Sequence, residues 1–461
     1  MTPSRLIPLT VAAALFMENM DSSVIATALP SMARSLGTDP VSLKLAFTTY
    51  LLSLAVFIPA SGWCADRFGA RSVFRWAIFV FTLGSIACGL SQSLDQLVAA
   101  RALQGLGGAM MVPVGRIVLL RAVPKGELVD ALAWLTIPAL VGPLIGPPVG
   151  GFVTTYFDWR YVFWMNVPFG ILAIVLATLL MPKGEEHDVP PLDWRGFILS
   201  GLGLSLAVAG STSFGRDIMP WQGPPLLIAA GFLFLGLYVI HARRAANPIL
   251  DLSLFNIHTF RAGLLGGSLY RIGVGAIPFL TPLLFQLSYG LTAFQSGLLS
   301  CAAALGALAM KFTAARIIRR FGFRNLLIVN GLLSCLTMAV YALLWPGTPY
   351  FLIVCVLLAG GFLRSLQFTG VNAMAYSDID TAGMSRAASL YTVAQHLSLS
   401  IGVMAAASAL DGSLAWRGGD ALAFGDFAVA FLIVSAVAAL SLFQFAGLGS
   451  GAGASVSGRG S

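Results

Sequence analysis

The feature that most constrains this sequence is a series of apolar runs, each about 20 residues long, separated by short polar gaps. A run of that length crosses the hydrocarbon core of a bilayer as an α-helix. Charged residues make up 10% of the chain and hydrophobic residues 57%, which leaves too little polar surface to cover a water-soluble body. The composition therefore excludes a soluble enzyme, a disordered chain and a nucleic-acid-binding protein. Five cysteines without a Cys-x-x-Cys spacing give neither a disulfide framework nor a zinc site.

The apolar runs predict an all-α polytopic membrane protein with fourteen transmembrane helices. We place them at residues 7–30, 43–63, 74–92, 94–120, 130–154, 160–181, 194–212, 222–242, 259–287, 295–317, 324–345, 349–374, 386–410 and 425–446. If the N-terminus is cytoplasmic, 17 Lys and Arg residues lie in inner segments and five in outer segments. Because basic residues concentrate on the cytoplasmic side, we expect both termini in the cytoplasm and the protein in the inner membrane.

Two short loops suggest that the chain contains an internal repeat. The segment Gly62–Arg71 aligns with Ala315–Arg324 at an offset of 253, and the same offset places the first predicted helix opposite the ninth. Repeated halves are how many secondary transporters build a site at mid-depth in the membrane. The domains expected are a six-helix bundle, two inserted helices with their linkers, a second six-helix bundle and a disordered Gly/Ser-rich tail, at 1–183, 184–256, 257–446 and 447–461.

Four further patterns occur in order along the first half. They are Gly62-x-x-x-Asp66-Arg67-x-Gly69-x-Arg71, Arg101-x-x-Gln104-Gly105-x-Gly107-Gly108, Gly142-x-x-x-Gly146-Pro147-x-x-Gly150-Gly151, and Asp158-Trp159-Arg160 followed by Asn166-x-Pro168-x-Gly170. Glycines four residues apart let another helix approach closely, and the prolines remove backbone donors and bend a helix. The glycine and proline spacing of the fifth helix therefore predicts close helix packing and a bend, which a hinge or a purely structural packing face would both explain.

In these patterns the chain resembles the major facilitator superfamily, and within it the fourteen-span drug:proton antiporter branch. The resemblance covers essentially the whole chain and implies a major facilitator fold with 6+2+6 helices in two pseudo-symmetric halves. It implies a gating role for the first loop and for the glycine–proline pattern, which is associated with antiporters. It also implies a monomer that exchanges a small molecule for protons across the lipid bilayer, without a cofactor or metal. One departure is that Arg319 stands where the first loop has Asp66.

Two acidic residues lie inside a predicted span, which is unusual because a charge at that depth costs about 2.5 to 3.5 kcal/mol on insertion scales. Glu18 and Asp21 are three residues apart and share one face of the first helix. Hydrocarbon disfavours the charged form of a carboxyl group, and a neighbouring carboxylate disfavours it further. We therefore predict that this pair carries the coupling proton, assisted by Arg101. The alternative is a structural pair that Arg101 neutralises.

Buried basic residues predict a site for an anion in the second half. Arg271 and Arg364 lie midway along predicted helices, and Lys311 lies nearer a helix end. Since arginine suits carboxylate geometry, these cations favour an anionic substrate. The predicted substrate-binding residues are Arg271, Arg364, Lys311, His396, Gln395, Gln367, Tyr270 and Asn372. The alternative is that the arginines pair with Glu18 and Asp21 across the two halves and lock a gate.

The sequence leaves three transport functions open. An ATP-binding Gly-x-x-x-x-Gly-Lys-Ser/Thr pattern and a His-Glu-x-x-His pattern are both absent from the sequence, so we expect neither ATP hydrolysis nor another enzyme activity. The favoured reading is export of an organic anion, citrate-like, or its metal chelate. The alternatives are a multidrug exporter of lipophilic or cationic compounds and a proton-coupled importer.

Overall fold

The computed structural model describes residues 3–122, 128–182, 189–213, 220, 222–380 and 383–449. Side chains are described throughout these ranges except at 3–6, 120–122 and 128–140. This part of the chain is almost entirely α-helical and contains no β-strand, which confirms the predicted fold class. A helix is the form in which an apolar segment satisfies all its backbone hydrogen bonds internally, as the absence of water in a bilayer requires.

The chain forms two compact units, Met1–Leu250 and Asp251–Ser461. The helices of the first unit are α1 (Pro3–Leu36), α2 (Lys44–Phe68), α3 (Ala70–Leu90), α4 (Leu94–Ala122), α5 (Leu128–Tyr156), α6 (Tyr161–Trp164), α7 (Asn166–Leu180), α8 (Trp194–Ser213) and α9 (Gly223–Ala242). The helices of the second unit are α10 (His258–Leu283), α11 (Ala293–Lys311), α12 (Ala314–Phe321), α13 (Phe323–Val340), α14 (Tyr350–Ala375), α15 (Met384–Arg417), α16 (Phe424–Ala439) and α17 (Ser441–Ala446).

Twelve helical segments of the described residues are long and apolar enough to cross a membrane. They coincide with all the predicted spans except the first and the fifth. Those two fall on α1 and α5, which are helices of 34 and 29 residues. Glu18 and Asp21 lower the hydropathy of α1, and many side chains of α5 lie outside the description. The predicted tail, from residue 450 onward, also lies outside the described residues.

The backbone of the two units supports the predicted repeat. Gly37 and Gly69 have positive φ angles of 62° and 78°, and Gly290 and Gly322, each 253 positions later, have 68° and 71°. A positive φ is strained for residues with a Cβ atom, so each pair marks the same turn in both units. The caps agree, because Asp39 and Thr292 accept backbone N–H bonds at the starts of corresponding helices.

The loops Gly62–Arg71 and Ala315–Arg324 make the same kind of contact in their two units: an arginine of each loop donates to a backbone carbonyl at a helix end. Arg71 donates through Nη2 to the carbonyl of Thr178, in the last turn of α7. Arg324 donates through Nη2 to the carbonyl of Ala446, at the end of α17, at 3.3 Å. Since the last carbonyls of a helix have no partner within it, each arginine caps the final helix of its own bundle.

The first helix of the predicted insertion, α8, packs against α2 within the first unit, and α9 packs against α8. Trp63 donates to the carbonyl of Pro190 at 2.9 Å and stacks edge-on against Trp194. Phe57 packs on Phe197 farther along the same face. The main core of the unit lies elsewhere, among α1, α2, α3, α4 and α7.

Candidate functional site

Asp21 is buried within the first unit and its carboxylate is fully engaged. Arg101 of α4 donates through Nη1 to Oδ2 at 2.7 Å and forms an ion pair. Gln104 of α4 and Asn166 of α7 donate through their amide groups to Oδ1, at 2.8 and 2.7 Å. Ser85 of α3 receives a hydrogen bond from each of the same two amides. Two helices, α4 and α7, thus donate to one carboxylate of α1, and Ser85 of α3 contacts two of the donating groups.

Arg101 is also buried and well partnered. Its Nε donates to the carbonyl of Ala46 at 3.3 Å, and its Nη1 also donates to Oε1 of Gln104 at 2.6 Å. The guanidinium carbon lies 4.1 Å from the centre of the Tyr50 ring, which is a cation–π distance. Asp21 is the one carboxylate paired with Arg101 among the described residues. Each residue of this pair is therefore the counter-charge of the other.

Glu18 lies one helical turn before Asp21 and has a different environment. It is partly buried, and its Oε2 atom is shielded from solvent without a hydrogen-bond partner in the described part of the chain. The charges of Asp21 and of Arg116 on α4 act on it. The two acids predicted as a pair therefore differ in their partners. Both carboxylate oxygens of Asp21 accept hydrogen bonds, whereas Oε2 of Glu18 accepts none from the described residues.

The glycines of α5 pack against α1 at the level of this site. A Cβ atom on Gly142 would lie 2.8 Å from Cβ of Asn19, and one on Gly150 would lie 2.6 Å from the carbonyl of Val24. A Cβ atom on Gly146 would collide with the hydroxyl of Ser23. The four-residue spacing thus lets α5 meet α1 backbone to backbone, on the turns that flank Asp21. Pro147 and Gly151 lie on the same part of α5.

Arg271 on α10 is a buried basic residue whose hydrogen-bond donors are only partly used. It is buried, and its Nη2 donates to Oδ1 of Asn372 at 2.8 Å and to the hydroxyl of Tyr391. Its guanidinium carbon lies 5.0 Å from the centre of the Phe368 ring and 4.5 Å from that of Tyr391. Its Nε and Nη1 atoms are buried without a partner. Among the described residues of this unit, no carboxylate pairs with Arg271.

Arg364 on α14 has a similar lack of counter-charge. Its Nη1 donates to the hydroxyl of Tyr341 at 2.8 Å, and no described carboxylate of the unit pairs with it. Arg364, Phe368 and Asn372 follow one another at four-residue intervals along α14, which places them on one stripe with about 6 Å between consecutive residues. Because Arg271 contacts both Phe368 and Asn372, the two arginines lie along the same stripe.

The other predicted substrate-binding residues have varied surroundings. Gln367 is enclosed, accepting from Asn330 and donating to the carbonyl of Leu327, each at 2.9 Å. Tyr270 is buried against the hydroxyl of Ser334 at 2.5 Å. Lys311 is exposed at the end of α11 and reaches the hydroxyl of Thr369 at 3.2 Å.

The predicted residues of α15 lie beyond Tyr391. His396 is within range of the charge of Arg271, and its Nδ1 is buried without a partner among the described residues. Gln395 is partly buried on the same helix. The structure therefore brings Arg271 and Asn372 into contact, places His396 near them, and sets Gln367 and Tyr270 in separate polar contacts of their own.

Sequence analysis missed several residues that complete the two clusters. Gln104 and Asn166 were noted only as parts of short patterns, and Tyr341, Phe368 and Tyr391 were not singled out as site residues. Gln104 could have been found, because it lies three positions after Arg101 and therefore on the same helix face. Tyr391 has a similar signal, because it lies four positions before Gln395 and therefore on the same helix face. Tyr341 and Phe368 give none, since aromatic side chains are common in membrane helices.

A helical membrane fold with two compact units and paired intramembrane charges is the architecture of a transporter, and comparison with known proteins agrees. Residues 11–403 match the family model of the Major Facilitator Superfamily, and the chain belongs to this family of transporters. It is 40% identical over 400 residues to the "Putative multidrug resistance protein MdtD" of Salmonella heidelberg, covering 85% of this chain and 83% of that protein. The protein of the same name from Salmonella typhimurium is 40% identical over 404 residues, with the same coverage.

Solved structures share the fold at low sequence identity. The crystal structure of a D-xylose-proton symporter superposes with a TM-score of 0.68 at 15% identity, covering 95% of this chain and 96% of that chain. The human organic anion transporter MFSD10 (TETRAN) superposes with a TM-score of 0.63 at 13% identity, covering 96% of this chain and all of that chain. At these identities the similarity establishes the fold alone.

Proposed function

We propose that this transporter is a proton-coupled antiporter that exports an organic anion, such as a citrate-like polycarboxylate or its metal chelate. The observation that carries the proposal is Arg271, a buried cation that has unused donors and no carboxylate partner among the described residues of its own unit. An unpaired buried charge is costly, so a ligand that supplies the missing negative charge is strongly favoured. A carboxylate is the natural complement, since guanidinium donors match its geometry.

The stripe on α14 supports a substrate with more than one negative group. Arg364 lies about 6 Å along the helix from Phe368, and Arg271 contacts the next turn at Asn372. A polycarboxylate can place one group at each arginine, with the Phe368 ring against its carbon skeleton. His396 is a further polar contact near Arg271, and Lys311 a more peripheral one.

The Asp21–Arg101 pair supports the coupling half of the proposal. Protonation of Asp21 removes the negative charge that Arg101 faces at 2.7 Å, so the pair weakens and the packing of α4 against α1 changes. The Glu18 carboxyl, one turn away, provides a second proton site on the same face. A proton bound here thus alters helix packing at the point where the α5 glycines hold α1, and this is how we propose that proton binding drives alternating access.

We also propose that the protein acts as a monomer in the inner membrane with both termini cytoplasmic, and that the first loop gates transport through Asp66, Arg67 and Arg71. The basic residues of the loops support this orientation. Reporter fusions test it: the fusions expected in the periplasm are at Ser35, Asp158, Arg216 and Gly418, and those expected in the cytoplasm are at Arg71, Lys183 and Gly383. A reversed signal at any two sites contradicts the topology.

A binding experiment tests the substrate class. Citrate binding to purified protein is compared between the wild type, Arg271→Ala and Arg271→Lys, with Arg417→Ala as the control for loss of a basic residue. Arg417 is partly exposed and pairs with Asp426. We expect Arg271→Ala to weaken binding by about 2 kcal/mol or more, roughly 30-fold, since a buried charge pair is lost. Arg271→Lys should recover part of the loss.

The alternative substrate is a lipophilic or cationic drug. It is favoured by the identity of 40% to relatives named as multidrug resistance proteins. Glu18 would then be the anionic partner of a cation. Tight binding of a lipophilic cation by the wild type that survives Arg271→Ala and is lost in Glu18→Gln would favour this alternative over the anion.

A further inference from the structure

Asn166 is a buried polar residue that contacts the Asp21 carboxylate. It is the first residue of α7, directly after the break at Met165 that separates α6 from α7. It is completely buried, and its Nδ2 donates to Oδ1 of Asp21 at 2.7 Å and to the hydroxyl of Ser85 at 3.3 Å. Asn166 has the one side-chain amide in the span Tyr161–Leu180, and that amide donates to the Asp21 carboxylate.

The oxygen of the same side-chain amide accepts no hydrogen bond from the described residues. Oδ1 of Asn166 is buried and has no hydrogen-bond partner among the described residues. Buried acceptors nearly always have a donor, so an unpartnered one calls for an explanation. A carboxyl group that gains a proton becomes a donor, and a half-turn of the Asn166 amide would bring Oδ1 to the place where Nδ2 now meets Asp21. The amide can thus serve both protonation states of Asp21.

We propose that Asn166 is a positioning residue that sets the pH at which Asp21 exchanges its proton, donating to the carboxylate and accepting from the protonated acid. The inference rests on the coupling role of Asp21 in the proposed function. It adds a residue on α7 to that role, so that the helix beginning at Asn166 is linked directly to the protonation of α1.

Other groups that face Asp21 act in parallel. The charged or titratable ones with described side chains are Arg101 on α4, Tyr50 on α2, Cys88 on α3 and Glu18 on α1 itself. The sequence of α7 contains no titratable residue. In α6 and in the part of α5 whose side chains are described, residues 141–156, the only ones are the exposed Tyr161 and Tyr156. A neutral substitution at Asn166, such as Asn166→Leu, therefore alters the environment of Asp21 without adding or removing a charge.

The direction of the effect follows from the strengths of the two hydrogen bonds. A bond donated to a charged carboxylate is about twice as strong as a bond between neutral groups. Asn166→Leu removes both, so the carboxylate loses more than the acid does, and Asp21 should take up its proton at a pH about one unit higher, a tenfold change in proton affinity. Asn166→Asp places a second carboxylate beside Asp21 and should raise that pH further.

Infrared difference spectroscopy of the purified protein in liposomes measures the protonated carboxyl band as a function of pH. Asp21→Asn identifies the band of Asp21. Asn330→Leu is the matched control, because Asn330 is a buried amide on α13 that bonds Gln367 and the Leu363 carbonyl. We expect the midpoint to rise in Asn166→Leu, to rise more in Asn166→Asp, and to stay in place in Asn330→Leu.

The outcomes separate this inference from the proposed function. If the band titrates in the wild type and disappears in Asp21→Asn, the proton site is established, and an unchanged or lower midpoint in Asn166→Leu overturns the role of Asn166 alone. If the band persists in Asp21→Asn, the coupling role of Asp21 fails and the inference fails with it. Should Asn166→Leu not insert stably, the midpoint of Asn166→Ala decides, since alanine also removes both hydrogen bonds without adding a charge.

Discussion

Removing the charges of Asp21 and Arg101 one at a time, and then together, should show that the two residues are energetically coupled. Asp21→Asn leaves Arg101 buried with only neutral partners, namely the Ala46 carbonyl, the Gln104 amide and the Tyr50 ring. Arg101→Met leaves the Asp21 carboxylate with only two amide donors. The double variant removes both charges of the pair, so neither is left buried without the other. It should therefore be more stable than the sum of the two single changes predicts.

The size of the coupling follows from the burial of both side chains. Removing one member of a buried ion pair costs about 3 to 5 kcal/mol, because the remaining charge is uncompensated. Asparagine keeps one acceptor toward Arg101 at a 2.7 Å contact, which places Asp21→Asn near the lower end of that range. The double variant loses hydrogen bonds but buries no charge. We therefore expect a coupling energy of about 2 to 3 kcal/mol.

Equilibrium unfolding in mixed micelles at neutral pH measures this cycle. The matched control is the cycle on Arg417 and Asp426, an ion pair at 2.8 Å whose arginine side chain is 42% exposed. Solvent screening should make its coupling clearly smaller. Additive effects of Asp21→Asn and Arg101→Met, within about 0.5 kcal/mol, would refute the reasoning that the pair is held by mutual charge compensation.

Three further predictions concern other parts of the account. Gly150→Leu should abolish transport while leaving membrane insertion intact, because α5 cannot approach α1, whereas Gly412→Leu, with nothing within 4 Å, should transport normally in the same uptake assay. Gly69→Ala and Gly322→Ala should each destabilise the protein by about 1 kcal/mol in micellar unfolding, since both residues have positive φ, and equal losses are expected from equivalent turns. Arg364→Ala should weaken binding of a tricarboxylate more than binding of a monocarboxylate, as measured by calorimetry.

Much of the fold could be predicted because a bilayer imposes simple rules on length and polarity. The run from 194 to 212 predicts a span that the structure places at Trp194–Ser213, and 349–374 corresponds to Tyr350–Ala375. The boundaries of α1 were harder, since the helix extends to Leu36 through Pro30. A proline in the body of an amphipathic stretch does not by itself indicate where a membrane helix ends, because neighbouring helices can satisfy the freed carbonyl.

The site was predicted only in part, because burial is visible in a sequence but contact between distant helices is not. Asp21, Arg101 and Arg271 stand out as charges inside apolar runs. The spacing that places Gln367 beside Arg364 on α14 does not reveal that Asn330, from another helix, occupies its amide. In the same way, nothing in the local sequence indicates that Asn166 meets Asp21, 145 positions earlier.

The central claim, that a proton gradient drives export of an organic anion through Asp21, is tested most directly by transport in liposomes. Purified wild type and Asp21→Asn are reconstituted, a pH gradient is imposed, and the movement of radiolabelled citrate and of a lipophilic cationic dye is followed. We predict that the wild type moves citrate against its concentration gradient only while the pH gradient lasts, and that Asp21→Asn does not. Gradient-driven movement of citrate by Asp21→Asn equal to the wild type, or of the dye alone by the wild type, would contradict the account.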